Sequence, residues 1–232
     1  MRKHFFVLFL CFVCLQGFAD IYAVYYDVSG GQNTAIVISN ATSTTAYYTI
    51  RAYDYTGRLV WSDMGNLKSY KSTMYDLSEH ITPASGKWGL VRINSDQILV
   101  VSALYSSRDK LIAIKTVDNV PSRDSGIQYY WYALMFYALR DATVGFIIAN
   151  PQAFSVSIRF YLYDEDGNTL VSRTVTLDPF ASYFYNTEVL SEEAAGFLDV
   201  RATAPIILAG EYYIAGSVYT IDLIFDAYAV SD

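Results

Sequence analysis

The chain repeats itself, and the repeat constrains the fold more than any other feature. Asn40 and Asn150 lie 110 residues apart, and that offset holds without a gap. It lays Tyr22-Ala23-Val24 on Tyr132-Ala133-Leu134, Ile36-Val37-Ile38-Ser39-Asn40 on Phe146-Ile147-Ile148-Ala149-Asn150, and Leu67 and Tyr75 on Leu177 and Tyr185. Asp54 and Gly57 fall on Asp164 and Gly167. After a three-residue deletion the offset becomes 107, pairing Gly89 with Gly196, Leu99-Val100-Val101 with Ile206-Ile207-Leu208, and Tyr105 with Tyr212. Identities at turn positions, with hydrophobic residues in step between them, mark one folding unit present twice. Each copy is about 100 residues, the size of a small domain.

The units read as β-structure. Val156, Ile158 and Phe160 alternate with Ser155, Ser157 and Arg159, the period of a strand with one buried face. The apolar runs Leu99–Val101 and Ile206–Leu208 suit strands central to a core. Asp54-x-x-Gly57 and Asp164-x-x-Gly167 predict hairpins, because Asp accepts backbone N–H groups locally and Gly tolerates positive φ. The turn spacing predicts about seven strands per copy, as in sandwiches. Ser191-Glu192-Glu193 predicts one helical turn ending before Gly196.

Residues 1–19 read as a secretory signal peptide. Arg2, Lys3 and His4 precede the apolar stretch Phe5–Leu15, and Gly17 and Ala19 supply the small residues before a cleavage site. An uncleaved anchor is the alternative, although the apolar stretch is short for a membrane span. The remaining organisation is a β-sandwich domain over 20–117, a linker over 118–126 rich in turn formers, and a second β-sandwich domain over 127–232. Cys11 and Cys14 stand in a C-x-x-C spacing but lie inside the leader, so the mature chain has no thiol. Loss of a leader carrying Arg2 and Lys3 and no acid takes the formal net charge from −7 to −9, the wrong sign for a nucleic-acid backbone. With 53% hydrophobic and 17% charged residues the chain is no disordered segment.

The string of strand, Asn, turn, strand and Asp-x-x-Gly, then Leu, a Tyr-bearing strand, Gly and an apolar strand, resembles tandem immunoglobulin-like β-sandwich repeats of bacterial secreted and cell-surface proteins. The first half of each copy distantly resembles the sensory rhodopsin transducers. The resemblance implies an all-β architecture and names no ligand. The Cys…Trp…Cys core of antibody-type domains is missing.

Chemistry-bearing patterns are few. His80 is the one histidine after the leader, and it reads as a loop residue; no nucleophile elbow accompanies it. Asp164-Glu165-Asp166-Gly167 has calcium-like oxygens, but Val175 stands where a bidentate carboxylate belongs, so it reads as a turn. Glu79, Glu188, Glu192, Glu193 and Glu211 show no spacing that singles out a glycosidase pair, and Glu211 reads as an edge position. Asn40-Ala41-Thr42 forms a glycosylation sequon that its counterpart, followed by Pro151, does not share.

Aromatic residues, 16% of the chain, are the compositional excess. Along a strand Tyr129 and Trp131 face away from Tyr130 and Tyr132, so one pair must lie outside the core. Trp88, Tyr129, Trp131 and Tyr212 are the candidate binding residues. The resulting expectation is a non-catalytic secreted or envelope binding or scaffold protein with no cofactor, whose partner is an envelope protein or polysaccharide and which self-associates through edge strands or Tyr129–Tyr132. The alternatives are a carbohydrate-binding module using exposed Tyr and Trp, and an outer-membrane β-barrel.

Overall fold

The computed structural model describes residues 20–82, 84, 86–108, 110–138, 142–186, 194–214 and 217–220. The leader and the predicted helical turn at Ser191-Glu192-Glu193 lie outside them. The first copy contains β1 (Asp20–Asp27), β2 (Gln32–Asn40), β3 (Ala46–Asp54), β4 (Leu59–Leu67), β5 (Ser72–Asp76), α1 (Leu77–His80), β6 (Trp88–Ser95), β7 (Leu99–Ser107) and β8 (Lys110–Val117). The second contains β9 (Tyr130–Ala138), β10 (Ala142–Ala149), β11 (Val156–Asp164), β12 (Thr169–Leu177), β13 (Ser182–Asn186), β14 (Ala194–Ala202), β15 (Ile207–Ile214) and β16 (Ser217–Thr220). Each copy therefore has eight described strands rather than about seven. The extra one closes a hairpin after β7 whose turn uses Arg108 at φ 48°, a conformation usually signalled by glycine.

Four antiparallel sheets result: sheet A (β1-β6-β3-β4), sheet B (β5-β2-β7-β8), sheet C (β12-β11-β14-β9) and sheet D (β13-β10-β15-β16). A and C are repeat equivalents, as are B and D. Within each copy only the third and fourth strands, and the seventh and eighth, are consecutive hairpin neighbours; every other connection crosses to the facing sheet. An immunoglobulin constant-type sandwich groups its strands as one, two, five and four against three, six and seven. This chain groups one, six, three and four against five, two, seven and eight, so it shares the two-sheet architecture but not that strand order. The four described sheets are open, each with two edges, which answers the barrel expectation: the strands do not close into one.

The cores follow the period-two pattern. Val24, Ile50 and Val91 of sheet A meet Ile36, Ile38 and Val101 of sheet B. Leu134, Phe160 and Val200 of sheet C meet Phe146, Ile148 and Leu208 of sheet D.

The identities that revealed the repeat are hydrogen-bonding and clearance devices. Buried Asn40 donates from Nδ2 to the carbonyls of Thr44 and Leu67 and accepts the amide of Thr42 on Oδ1. Asn150 does the same with Phe154, Leu177, Asp178 and Gln152. An amide side chain, donor at one atom and acceptor at the other, satisfies two loops that would otherwise bury unpaired backbone. Asn40 is consumed by this role, so its sequon is structural. Tyr22 Oη accepts the amide of Leu99 at 2.9 Å, and Tyr132 Oη that of Ile206 at 2.8 Å. A Cβ on Gly89 would strike the carbonyl of Tyr53, and one on Gly196 that of Tyr163.

The Asp-x-x-Gly segments are hairpin turns, as expected. Asp54 Oδ1 accepts the amides of Thr56 and Arg58, and Asp164 Oδ1 those of Asp166 and Asn168. Gly57 and Gly167 sit at φ 87° and 82°. Burial raises the Asp54 pKa, but hydrogen bonds from Thr56 and Arg58 outweigh it and leave the group below its ordinary value.

The two domains dock face on face, and a third buried cluster, Ala23, Leu90, Val120 and Ala149, joins the outer face of sheet A to the outer face of sheet D. Ile147 and Ala209 of the second domain lie within the first domain's buried cluster. The β12–β13 loop clamps the joint. Phe180 stacks on Tyr53 at 4.3 Å between centroids, beneath Arg92 at 5.7 Å, and the Ser182 amide donates to the Tyr55 carbonyl at 2.9 Å. Burial also holds the Arg92 pKa below its ordinary value.

Candidate functional site

The same face that domain 1 buries, domain 2 leaves open. The outer face of sheet C carries Trp131, Ala133 and Met135 from β9, Phe197, Asp199 and Arg201 from β14, and Tyr161 and Tyr163 from β11. Alternation forces this set outward, because Tyr130, Tyr132, Leu134 and Phe136 point into the core. The expected split of the aromatic run is thus met: Tyr130 and Tyr132 are buried, while Tyr129 and Trp131 are each 41% exposed.

The face is ordered by ring contacts and one ion pair. Tyr161 stacks with Tyr163 at 6.0 Å, and Tyr163 with Phe197 at 4.9 Å. Arg201 lies between Trp131 and Tyr161, 5.8 and 5.9 Å from their centroids, within cation–π range. Its Nη2 sits 3.2 Å from Oδ2 of Asp199, which is buried. That hydrogen bond raises the arginine pKa. The result is a platform of aromatic and aliphatic surface that also carries Arg201, fixed by Asp199, and exposed Arg159 opposite it on β11.

The other sequence candidates fall elsewhere. Trp88 is part of the domain joint: it stacks on Tyr55 at 5.2 Å and meets the edge of Phe184 from domain 2 at 6.3 Å. Tyr212 lies in β15 opposite Val144, and its side chain is outside the described residues. The structure therefore leaves Tyr129 and Trp131 exposed and places Trp88 in the domain joint. Sequence reasoning missed Tyr161, Tyr163, Phe197 and Arg201, which converge only through the β9-β14-β11 pairing. The offsets pairing Tyr53 with Tyr163 and Leu90 with Phe197 were a usable signal, since they mark equivalent positions on one face.

Glu211 corrects an expectation. It is buried in the central strand β15, on the face toward domain 1, rather than at an edge. Its side parity follows Ile207 and Ala209, which the domain joint covers.

His80 closes α1 rather than lying in an irregular loop; Asp76 caps that helix by accepting the Ser78 amide. Its ring lies on Trp61 at 4.7 Å, with Tyr75 alongside at 6.2 Å. The Tyr75 hydroxyl bonds Asp63 at 3.0 Å and Tyr48 at 2.8 Å, and burial drives its pKa well above the ordinary phenol value. This cluster seals the open edge between β4 and β5. Among the described residues no group of three or more His, Cys, Asp or Glu is placed to hold a metal ion.

No family model matches the chain, so the transducer resemblance has none behind it, and no curated protein matches either. Solved structures with some likeness include a Bacteroides uniformis β-glucuronidase, at 9% identity and a TM-score of 0.23 over 84% of this chain and 26% of the enzyme. A glycosyl hydrolase family 2 member from Bacteroides cellulosilyticus matches at 11% identity and 0.19, over 86% of this chain and 27% of that one. A Parabacteroides distasonis protein matches at 9% and 0.25, over 96% and 82%. The chain spans about a quarter of the length of those two hydrolases. TM-scores of this size fix neither a family nor a site.

Proposed function

We propose that this protein is a non-catalytic, exported binding module whose working surface is the outer face of sheet C. The observation that carries the reading is the contrast between equivalent faces: sheet A's is covered by domain 2, while sheet C's leaves Trp131, Met135 and Phe197 exposed. An exposed apolar patch of this kind marks an interaction site. Another protein is the ligand class it fits best, because the equivalent face of domain 1 already takes a protein surface. Exposed, preorganised aromatic side chains serve such contacts at low entropic cost.

A polysaccharide is the second reading. Tyr129 and Trp131 expose ring surface for stacking on a sugar, and half-exposed Arg201, held by Asp199, supplies donors for hydroxyls. Titration of the wild type and a W131A/F197A variant against soluble polysaccharides, peptidoglycan and purified envelope proteins separates the readings. Binding that falls more than tenfold in the folded variant supports this surface, and the ligand bound assigns the class. Binding unchanged in the variant refutes it.

A further inference from the structure

Domain 1 presents an exposed counterpart of the face that domain 2 uses to dock. Sheet D meets sheet A through Ile147, Ala149, Ile207, Ala209, Phe184 and the clamp residue Phe180. Under the repeat offsets their equivalents are Val37, Ser39, Val100, Ser102, Met74 and Tyr70. These lie on the outer face of sheet B and its β4–β5 loop, where Met74 and Val100 are exposed. On the other side, Tyr53, Ala23 and Leu90 of the joint correspond to Tyr163, Ala133 and Phe197 of sheet C. The molecule thus carries one occupied joint in its middle and one half of the same joint at each end.

The clamp is the most specific part of the match. Phe180 adopts φ 63°, a left-handed conformation unusual for a bulky residue, and there it reaches across to Tyr53. Tyr70, its equivalent, holds φ 58° and is 72% exposed. A bulky residue held exposed in this conformation is a strained feature that a docked surface explains. The turn beside it agrees. Gly57 packs closely on the Pro179 carbonyl, whereas its equivalent Gly167 has open space around it.

Resting on the reading that sheet C's outer face binds protein, we infer that its partner is a second copy of this chain. The sheet C face of one molecule docks on the sheet B face of the next, with Tyr70 of the second molecule on Tyr163 of the first. The interface is heterologous, so each molecule keeps a free half-joint and association continues into a ring or a filament.

Sedimentation velocity on wild type and two single variants tests this. Tyr70→Asp blocks the sheet B half at an exposed position whose left-handed backbone Asp tolerates, and Phe197→Asp blocks the sheet C half. Wild type should sediment beyond a dimer with rising concentration, each variant alone should remain monomeric, and an equimolar mixture should form a dimer that grows no further. Val100→Lys, a second block of the sheet B half, should behave like Tyr70→Asp, which separates interface loss from misfolding. A monomeric wild type, a dimer retained by either variant alone, or a mixture without heterodimer overturns the inference. If wild type stays monomeric while W131A/F197A still loses a polysaccharide or envelope protein, the binding surface stands and only the self-docking fails.

Discussion

The two copies share their interior and differ in what their outer faces touch. Asn40 and Asn150, Tyr22 and Tyr132, and Gly89 and Gly196 occupy the same positions and do the same work in both. Outside the cores the equivalents diverge. Ile21, Leu90 and Arg92 face the domain joint, while Trp131, Phe197 and Asp199 face outward. Hydrogen bonds between crossing loops tolerate no substitution without leaving buried backbone unpaired, so they stay alike. A sheet face changes with its neighbour, and the exposed face of sheet C is the more aromatic of the two.

Substitutions at paired positions break or sharpen this contrast. Leu90→Ala opens a cavity in a fully buried joint and should cost about 3 kcal/mol in denaturant unfolding, whereas Phe197→Ala at the equivalent position should cost under about 1 kcal/mol. Equal losses at both would mean the sheet C face is also packed. Asn150→Ala leaves the carbonyls of Phe154, Leu177 and Asp178 without their donor and should cost about 3 kcal/mol, with Asn40→Ala close behind. Chemical denaturation of each resolves whether the two capping amides carry equal weight. Tyr22→Phe and Tyr132→Phe each remove one acceptor from a buried amide, and matched losses of about 1 kcal/mol are expected.

The smallest effect distinguishes the copies by pH. Burial raises the Asp27 pKa above its unfolded value, and the equivalent position in domain 2 is Tyr137. A raised carboxyl pKa costs stability once the group ionises, and that cost disappears as pH falls through the folded pKa. Asp27→Asn should therefore stabilise domain 1 near neutral pH, with the gain shrinking under acid. Asp54 has the opposite sign: its depressed pKa stabilises above the unfolded value and is lost as pH falls through the folded one. Melting curves that show no pH-dependent difference between Asp27→Asn and wild type would remove the buried acid from the account.

Much of this architecture is legible in the sequence because turn chemistry and alternation are local. The repeat, the Asp-x-x-Gly hairpins and the inward side of Tyr130 and Tyr132 all follow from spacing within a few residues. What escaped depends on distant partners. Trp131 and Trp88 read alike as candidate binding aromatics, yet one is open and the other lies against Phe184, which follows it by nearly 100 residues. Glu211 read as an edge residue because a carboxylate seldom sits in a covered central strand. His80 read as loop, since a single turn of helix capped by Asp76 leaves almost no periodic signal.

The central claim is that equivalent sheet faces are closed in one domain and open for binding in the other. Hydroxyl-radical footprinting tests it directly, comparing dilute protein with protein saturated by its ligand or by its own copies. The account predicts that Trp131, Met135 and Phe197 react strongly in dilute solution and become protected on saturation, while Tyr25 and Leu90 are protected throughout. Protection of Met135 and Phe197 in the dilute monomer, or strong reaction at Leu90, would contradict it.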